Sequence, residues 1–426
     1  MSSGSSISLA KSDSRFEQLI RNSAVPYLAT TAIGVLAARF SSYIFRDGPL
    51  IKAQSPEIYT TYLFFGLAFV LWILYRGSRS RAGMLNLVYL LTLVFWVVRI
   101  SLTYVHENNF NHLVWLVPLL LVMLYFKAPT WQDLWSTVLI MAITMAIMML
   151  AAYILELLDF VQPFPKPEGR NDWESSSYWL PFEGLFGQKG RWTGPFGHNR
   201  TALVGAFVLI ISIARWTKWS WFLIPIGIFF TLLTSVRGPL LALIAGLAIL
   251  VLFSSLPLIR QIPMVARWVL LVVGVGLVGV FYVLTGTGLT GRDQIWSGYI
   301  DQGETSLITG VGQYGLDLGN DGTIDFLDAH NIFVDEFSRN GLLGLMGLLL
   351  VIGLSLWLML KTANHGFAGP LAVMVTYLVA SSSDIHADGL HMSFIVVMTL
   401  LATACAGTYV TEKDLESDQT LEESVL

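Results

Sequence analysis

Apolar stretches long enough to cross a lipid bilayer recur along the whole of this sequence. A hydrocarbon core about 30 Å thick is crossed by roughly 20 apolar residues in an α-helix. Hydrophobic residues make up 54% of the chain and charged residues only 13%, whereas soluble domains carry about 25% charged residues. The pattern therefore predicts an all-α integral membrane protein rather than a soluble domain.

The ends of the apolar runs predict about twelve transmembrane helices. They divide the chain into a polar segment at 1–24, a transmembrane domain at 25–410 with long loops at about 159–200 and 286–340, and an acidic tail at 411–426. We expect that tail to be disordered. The predicted spans are about 25–46, 58–75, 84–105, 112–126, 134–158, 201–215, 219–235, 238–256, 266–285, 341–360, 368–384 and 391–410.

The distribution of basic residues predicts the orientation. Loops on one side contain Lys127, Lys218 and Lys361, whereas the short loops HENNFN and SSSDIHADG on the other side contain no Lys or Arg. Because basic loops stay in the cytoplasm, we expect both termini to be cytoplasmic and both long loops to face outward. The polar N-terminus lacks the apolar core of a signal peptide.

Composition also narrows the classes of function. The single cysteine, Cys405, offers neither a disulfide framework nor a thiolate metal site. A net charge of −4 gives no reason to expect a nucleic acid partner. Within the spans, Arg39 and Arg99 are the charges that look buried, whereas transporters keep ionisable groups near the midplane. Chemistry at the outer face is therefore favoured, because polar residues collect in the two long loops.

The first long loop ends in GPFGHNR, which brings His198, Asn199 and Arg200 to the start of a span. An outer arginine is unexpected if its only purpose is topology. Arg237 in TSVRGPLLALIAG and Arg292 in GLTGRDQIWSGYI are predicted on the same face. A guanidinium group binds two phosphate oxygens at once through paired N–H groups, so several converging arginines suit a pyrophosphate. The simpler alternatives are a snorkelling Arg237 and a solvated surface pair of Arg292 with its neighbour.

The stretch DFLDAHNIFVDEFSRNG, from 325 to 341, sets acidic and basic groups directly before an apolar run. We expect Asp328 to cap a helix that starts at Ala329, so that the positive end of the helix keeps His330 neutral and able to accept a proton. The alternative is a hydrogen-bonded structural histidine. Gly341 is predicted to break the helix, and Arg339 is four residues from Asp335, which makes it either a phosphate contact or a partner of that carboxylate.

The residues just upstream partly match a calcium-binding loop. DLGNDGTIDFLD has acidic residues at several ligand positions, but a glycine stands at one expected ligand and the last is an Asp instead of a Glu. An acidic, turn-rich loop without an ion is the favoured interpretation. The possible ligands are Asp317, Asp321, Asp325 and Asp328.

Taken together, these motifs resemble the O-antigen ligase and O-antigen polymerase superfamily of bacterial membrane glycosyltransferases. The resemblance covers roughly the second half of the chain, from 194 to about 400, and depends on the order of the motifs. The matching pieces are SVRGPLLALI at 235–244, GRDQIW at 291–296, TGVGQYG at 309–315 and DAHNIFVDEFSRNGLLGLMGLLL at 328–350.

The resemblance implies a GT-C-like fold and metal-independent transfer of a glycan, without a cofactor, at the outer face of the plasma membrane. The donor would be an undecaprenyl-diphosphate-linked oligosaccharide, and the acceptor a hydroxyl of a glycan or a lipid-glycan. Arg237 and Arg292 would hold the diphosphate, and His330 would be the catalytic base. Second-tier site residues are His198, Asn199, Arg200, Asn331, Arg339 and Asp328.

Three functions remain open at this point. A polysaccharide polymerase, whose acceptor is another lipid-linked repeat, is favoured over a ligase that attaches the glycan to a lipid core or other anchor, although the motifs are shared by both. A lipid-linked sugar transporter or flippase, in which the arginines only capture a headgroup, is the alternative of another class. The sparse charges within the spans argue against it.

Overall fold

The protein is described by a computed structural model. It describes residues 15–44, 56–75, 88, 90–95, 97–98, 116–127, 129–158, 160, 195, 198–234, 237–255, 263, 266–267, 274, 292–312, 331–383 and 394–425. In these residues the fold is all-α, without a β-strand, as the sequence predicts. Most of the spans predicted at about 84–105 and 266–285, most of the first long loop, and residues 286–291 and 313–330 of the second lie outside the described residues.

The described helices begin and end close to the ends of the apolar runs. The exceptions are the helix that begins at Ile332, before the predicted span, and the helix that ends at Val425, beyond the predicted span. α9 lies within the predicted outer loop at about 286–340. The helices are α1 Arg15–Asn22, α2 Val25–Ile44, α3 Pro56–Leu74, α4 Leu116–Phe126, α5 Trp131–Leu157, α6 His198–Ala214, α7 Ser220–Leu233, α8 Arg237–Ser255, α9 Arg292–Glu304, α10 Ile332–Asn364, α11 Gly369–Ser383 and α12 Phe394–Val425.

Two of the described helices, α5 and α10, are long and apolar enough to cross a membrane. Only 39% of the apolar stretch of each is buried inside the protein. On α10 the exposed side chains include Leu342, Met346 and Leu349, which recur at helical spacing along one face. Exposed apolar stripes of this kind are unfavourable in water, so these helices suggest association with a membrane.

The end of the chain differs from the prediction. The acidic tail at 411–426 was expected to be disordered, but α12 continues as one helix to Val425. Forming the first turn is the costly step of helix formation, and here that turn is supplied by the buried part of the same helix. The Glu and Leu residues of the tail favour helix propagation.

The helices α6 and α7 form a tightly packed antiparallel hairpin. Gly205 lies against Thr231 and Leu209 lies against Gly227, which fixes the direction of the two helices. A Cβ atom at Gly205 would lie 2.9 Å from the backbone nitrogen of Thr231 and 3.0 Å from the carbonyl oxygen of Gly227. The start of α6 is therefore at the same end of the bundle as the end of α7 and the start of α8.

Aromatic side chains close the opposite end of the bundle, which we call the aromatic end. Trp131, at the start of α5, packs against Tyr409 with ring centroids 5.0 Å apart and against Phe367 at 5.6 Å. The Arg215 guanidinium, just after α6, lies 5.2 Å from the centre of the Trp131 ring. The hydroxyl of Tyr409 donates to the carbonyl oxygen of His365, just after α10, at 3.2 Å. α6 and α10 therefore both end here.

We predict that Gly205→Ala lowers the free energy of unfolding by about 1–3 kcal/mol, because the added methyl group meets backbone atoms that cannot move aside. Thermal unfolding of the purified protein in detergent measures the effect. The matched control is Gly66→Ala, where a Cβ atom would have nothing within 4 Å and where alanine favours the helix by about 1 kcal/mol. Equal destabilisation by both substitutions would contradict the close approach of α6 and α7.

Candidate functional site

Several of the sequence motifs lie where helices begin, at the end of the bundle opposite the aromatic end. α6 begins at His198 and α8 begins at Arg237. α10 begins one residue after Asn331, whose amide nitrogen donates to the carbonyl oxygen of Ser382 near the end of α11 at 3.2 Å. We call this the site end, defined by His198, Arg237, Asn331 and Ser382.

Helix N-termini supply the electrostatics of the site end. The first backbone N–H groups of a helix have no partner within it and carry the positive end of the helix dipole. Arg200 lies in the first turn of α6, and Arg237 is the first residue of α8. The partial positive charge at a helix start is a feature that favours an anion.

The start of α10 corrects one prediction. The sequence suggested that Asp328 caps a helix from Ala329, with His330 in its first turn. The helix instead begins at Ile332, because Asn331 is in an extended conformation and its side-chain oxygen accepts from the backbone N–H groups of Phe333 and Val334 at 2.9 and 3.2 Å. Asn331 therefore acts as the cap. His330 is not in the first turn of the helix, so the helix-dipole argument for a neutral imidazole does not apply in that form.

The predicted break at Gly341 is confirmed. Gly341 has φ 63° and ψ −162°, a conformation that L side chains avoid, and it divides α10 into a short first part and a long apolar second part. The segment 305–312, which follows α9, crosses the break. Val311 and Gly312 donate to the carbonyl oxygens of Ser338 and Arg339, while Leu307 and Ile308 accept from Leu342 and Leu343, at distances from 2.8 to 3.2 Å.

An ion pair lies buried in the first part of α10. The Arg339 guanidinium is 2.9 Å from the Asp335 carboxylate, and the two residues are only 4% and 1% exposed. Of the two roles left open by the sequence, the structure therefore shows Arg339 as the partner of Asp335. This ion pair links two residues that are one turn apart in the first part of α10.

Sequence reasoning missed a second buried polar pair beside the first. The side-chain amide of Asn340 donates to the Glu336 carboxylate at 2.8 Å, and both residues are buried. Each pair joins residues four apart, so the spacing in DEFSRN carries the signal for both pairs. Acidic, basic and amide groups at the mouth of this apolar helix thus lie in two neighbouring pairs within the protein.

α9 packs across the first part of α10. The hydroxyl of Ser338 donates to the carbonyl oxygen of Tyr299 at 2.6 Å, and a Cβ atom at Gly303 would lie 3.0 Å from the Cα of Ser338. Arg292, the first residue of α9, is seven residues before Tyr299, a distance of about 10 Å along the helix. The helix that begins with Arg292 is therefore fixed to the helix that follows His330.

The remaining predicted site residues are placed only in part. The backbones of His198, Asn199, Arg237 and Arg292 are helical, whereas His330 lies outside the described residues. The proposed calcium ligands Asp317, Asp321, Asp325 and Asp328 also lie outside them. Among the residues that the structure describes, no group of three or more His, Cys, Asp or Glu side chains could hold a metal ion.

Comparison with models of known protein families finds no match to this chain, and neither does comparison with curated proteins.

We predict that Arg339→Ala lowers the free energy of unfolding by about 3–5 kcal/mol, because it leaves the Asp335 carboxylate buried without its cation. The double variant Asp335→Leu with Arg339→Met removes both charges at similar volume and should be more stable than Arg339→Ala alone. Denaturation in detergent compares the two variants. If the double variant loses as much stability as Asp335→Leu and Arg339→Met lose together as single variants, the two residues are not coupled.

Proposed function

We propose that the protein is a multi-pass membrane glycosyltransferase, with about twelve transmembrane helices in a GT-C-like arrangement. It would act on polyprenyl-diphosphate-linked glycans at the outer face of the bacterial plasma membrane, with both termini cytoplasmic. The proposal is supported by the sequence motifs and by the apolar helices α5 and α10. The observation that carries it is that the GHNR, VRGP and AHN motifs all lead into helices at the site end, with the GRDQIW helix α9 packed against α10.

In the proposed reaction, residues of this chain take up the proton and stabilise the charge of the leaving group. The bond between the anomeric carbon and the diphosphate oxygen of the donor breaks, and a bond from that carbon to the acceptor oxygen forms. His330 takes the proton of the acceptor hydroxyl, and the lipid diphosphate leaves with its added negative charge. Arg237 and Arg292 stabilise that charge as fixed cations, a role that is strongest where water is excluded.

A polymerase is the favoured form of this activity, and a ligase and a transporter are the alternatives. Arg339 is not proposed as a diphosphate contact, because it pairs with Asp335. The donor arginines that remain are Arg237 and Arg292, with Arg200 as a second-tier contact at the start of α6.

We expect Arg237→Ala and Arg292→Ala each to lower kcat about 10²–10³-fold, through loss of leaving-group stabilisation. His330→Ala should lower it about 10²–10⁴-fold, through loss of the base. The assay is transfer by the purified protein with a lipid-diphosphate oligosaccharide. The matched control is Lys361→Ala, which removes a cation near the aromatic end and should keep full activity. Full activity in the His330 variant would remove the base assignment.

The distribution of products distinguishes the three candidate functions. A polymerase should convert lipid-linked repeats into a ladder of lengths, whereas a ligase should add one glycan to each acceptor. Gel separation of the reaction products reads this directly. Movement of the lipid-linked glycan across proteoliposome membranes, without any new glycosidic bond, would instead identify a transporter and overturn the transferase.

A further inference from the structure

The turn between α6 and α7 presents large aromatic side chains outward. Trp221 is 75% exposed, Trp216 is 57% exposed and Trp219 is 45% exposed. Indole rings combine a large apolar surface with one N–H donor, so they are placed best where apolar and polar surroundings meet. Three such rings, two in the turn and one in the first turn of α7, form a surface that favours an apolar partner with a polar edge.

The turn is held in a defined shape. The backbone N–H of Thr217 donates to the Ser220 hydroxyl at 2.9 Å, and that hydroxyl donates in turn to the carbonyl oxygen of Ser212 at 2.9 Å. The rings of Trp216 and Trp221 meet edge to face with their centroids 5.4 Å apart. The aromatic surface is therefore preorganised, and little conformational entropy is lost when a partner binds to it.

Two exposed cations, Arg215 and Lys218, alternate with these aromatic residues. The sequence from 184 to 292 contains no Asp or Glu, so neither cation has a carboxylate nearby along the chain. Another helix brings an acidic group to the same end, because Glu412 lies one turn beyond Tyr409, whose ring packs on Trp131. The turn thus combines exposed indoles with positive charge.

We propose that residues 215–221 form a binding site for the headgroup of an anionic phospholipid in the cytoplasmic leaflet. The proposal rests on the membrane location in the proposed function, but not on the reaction. Indole rings prefer the headgroup level of a bilayer, and Lys and Arg near an anionic leaflet strengthen binding. A lipid fits better than free phosphate, because free phosphate would leave the indole surface uncovered.

The site would act at a distance through the hairpin. α6 and α7 approach closely at Gly205 and Gly227, so we expect a shift of one helix to displace the other. Their other end carries Arg200 in the first turn of α6, and the chain leads there into Arg237. A headgroup held at the turn therefore sets how deep these two arginines lie in the membrane.

The test titrates a fluorescent phosphatidylglycerol, and separately a fluorescent phosphatidylcholine, into the full-length protein in detergent. Each cation is expected to contribute about fivefold to binding of the anionic lipid. The Arg215→Gln, Lys218→Gln double variant should therefore lose about 25-fold in its preference for phosphatidylglycerol. The matched control is Lys361→Gln, a cation whose ammonium lies 4.7 Å from the centre of the Trp357 ring, and this variant should keep the preference. An unchanged preference in the double variant overturns the proposal.

Further arms separate the other partners. Inorganic phosphate should not displace the lipid, and displacement by it would identify a free-anion site. Glu412→Gln should leave the affinity for phosphatidylglycerol unchanged. A fivefold gain would contradict the proposal, because it would show that the Glu412 carboxylate already pairs with Arg215 or Lys218. Quenching of tryptophan fluorescence by a lipid brominated near the headgroup should fall in Trp221→Phe, and unchanged quenching would contradict contact with that ring.

Failure of this site and failure of the proposed function give different results. The double variant should keep the transferase activity of the wild-type protein in detergent. If the wild-type protein shows no transferase activity, the proposed function fails, but a loss of lipid preference in the double variant still supports the headgroup site. Release of the wild-type protein from membranes by alkaline carbonate would overturn the site, because its turn would then not lie at a bilayer surface.

Discussion

The site end depends on one constraint: the backbone groups left without partners by the helix break at Gly341 must be hydrogen-bonded by another segment. A break inside a buried helix leaves carbonyl groups without partners before it and N–H groups without partners after it, and each such group is costly in an apolar interior. The segment 305–312 meets both needs, since it donates to Ser338 and Arg339 and accepts from Leu342 and Leu343. Gly310 and Gly312, with φ near 70°, allow this close crossing. The break therefore fixes α9 against α10.

The buried charges of α10 lie just before the same break. Asp335 and Glu336 lie in the short first part of α10, and each carboxylate meets a partner one turn later, Arg339 and Asn340 respectively. Charges paired in this way stabilise a single geometry more than they stabilise the fold. Under the proposed function this rigidity would fix the Asn331 cap, the residue that follows His330 in the sequence.

Local patterns predicted local features well. The break at Gly341 follows from residue type and is confirmed. For Arg339 the spacing offered two roles, and the structure shows the one that pairs it with Asp335. The cap was misplaced because Asp328 and Asn331 are both good capping residues, and sequence alone does not decide between them. The contact between Asn331 and Ser382 joins residues 51 positions apart. No local pattern specifies such a contact, and the same is true of the packing of α9 on α10.

The lengths of the central helices determine how deep the site end would lie in a membrane. The described parts of α6, α7 and α11 contain 17, 14 and 15 residues, so these parts are about 21–26 Å long. They are shorter than a hydrocarbon core of about 30 Å, whereas α5 has 27 residues and α10 has 33. In the proposed membrane setting, with the turn after α6 at the cytoplasmic headgroups, the starts of α6 and α8 lie below the outer surface. Arginines at that depth would meet a lipid-linked diphosphate where water is scarce, and there their charge is most effective.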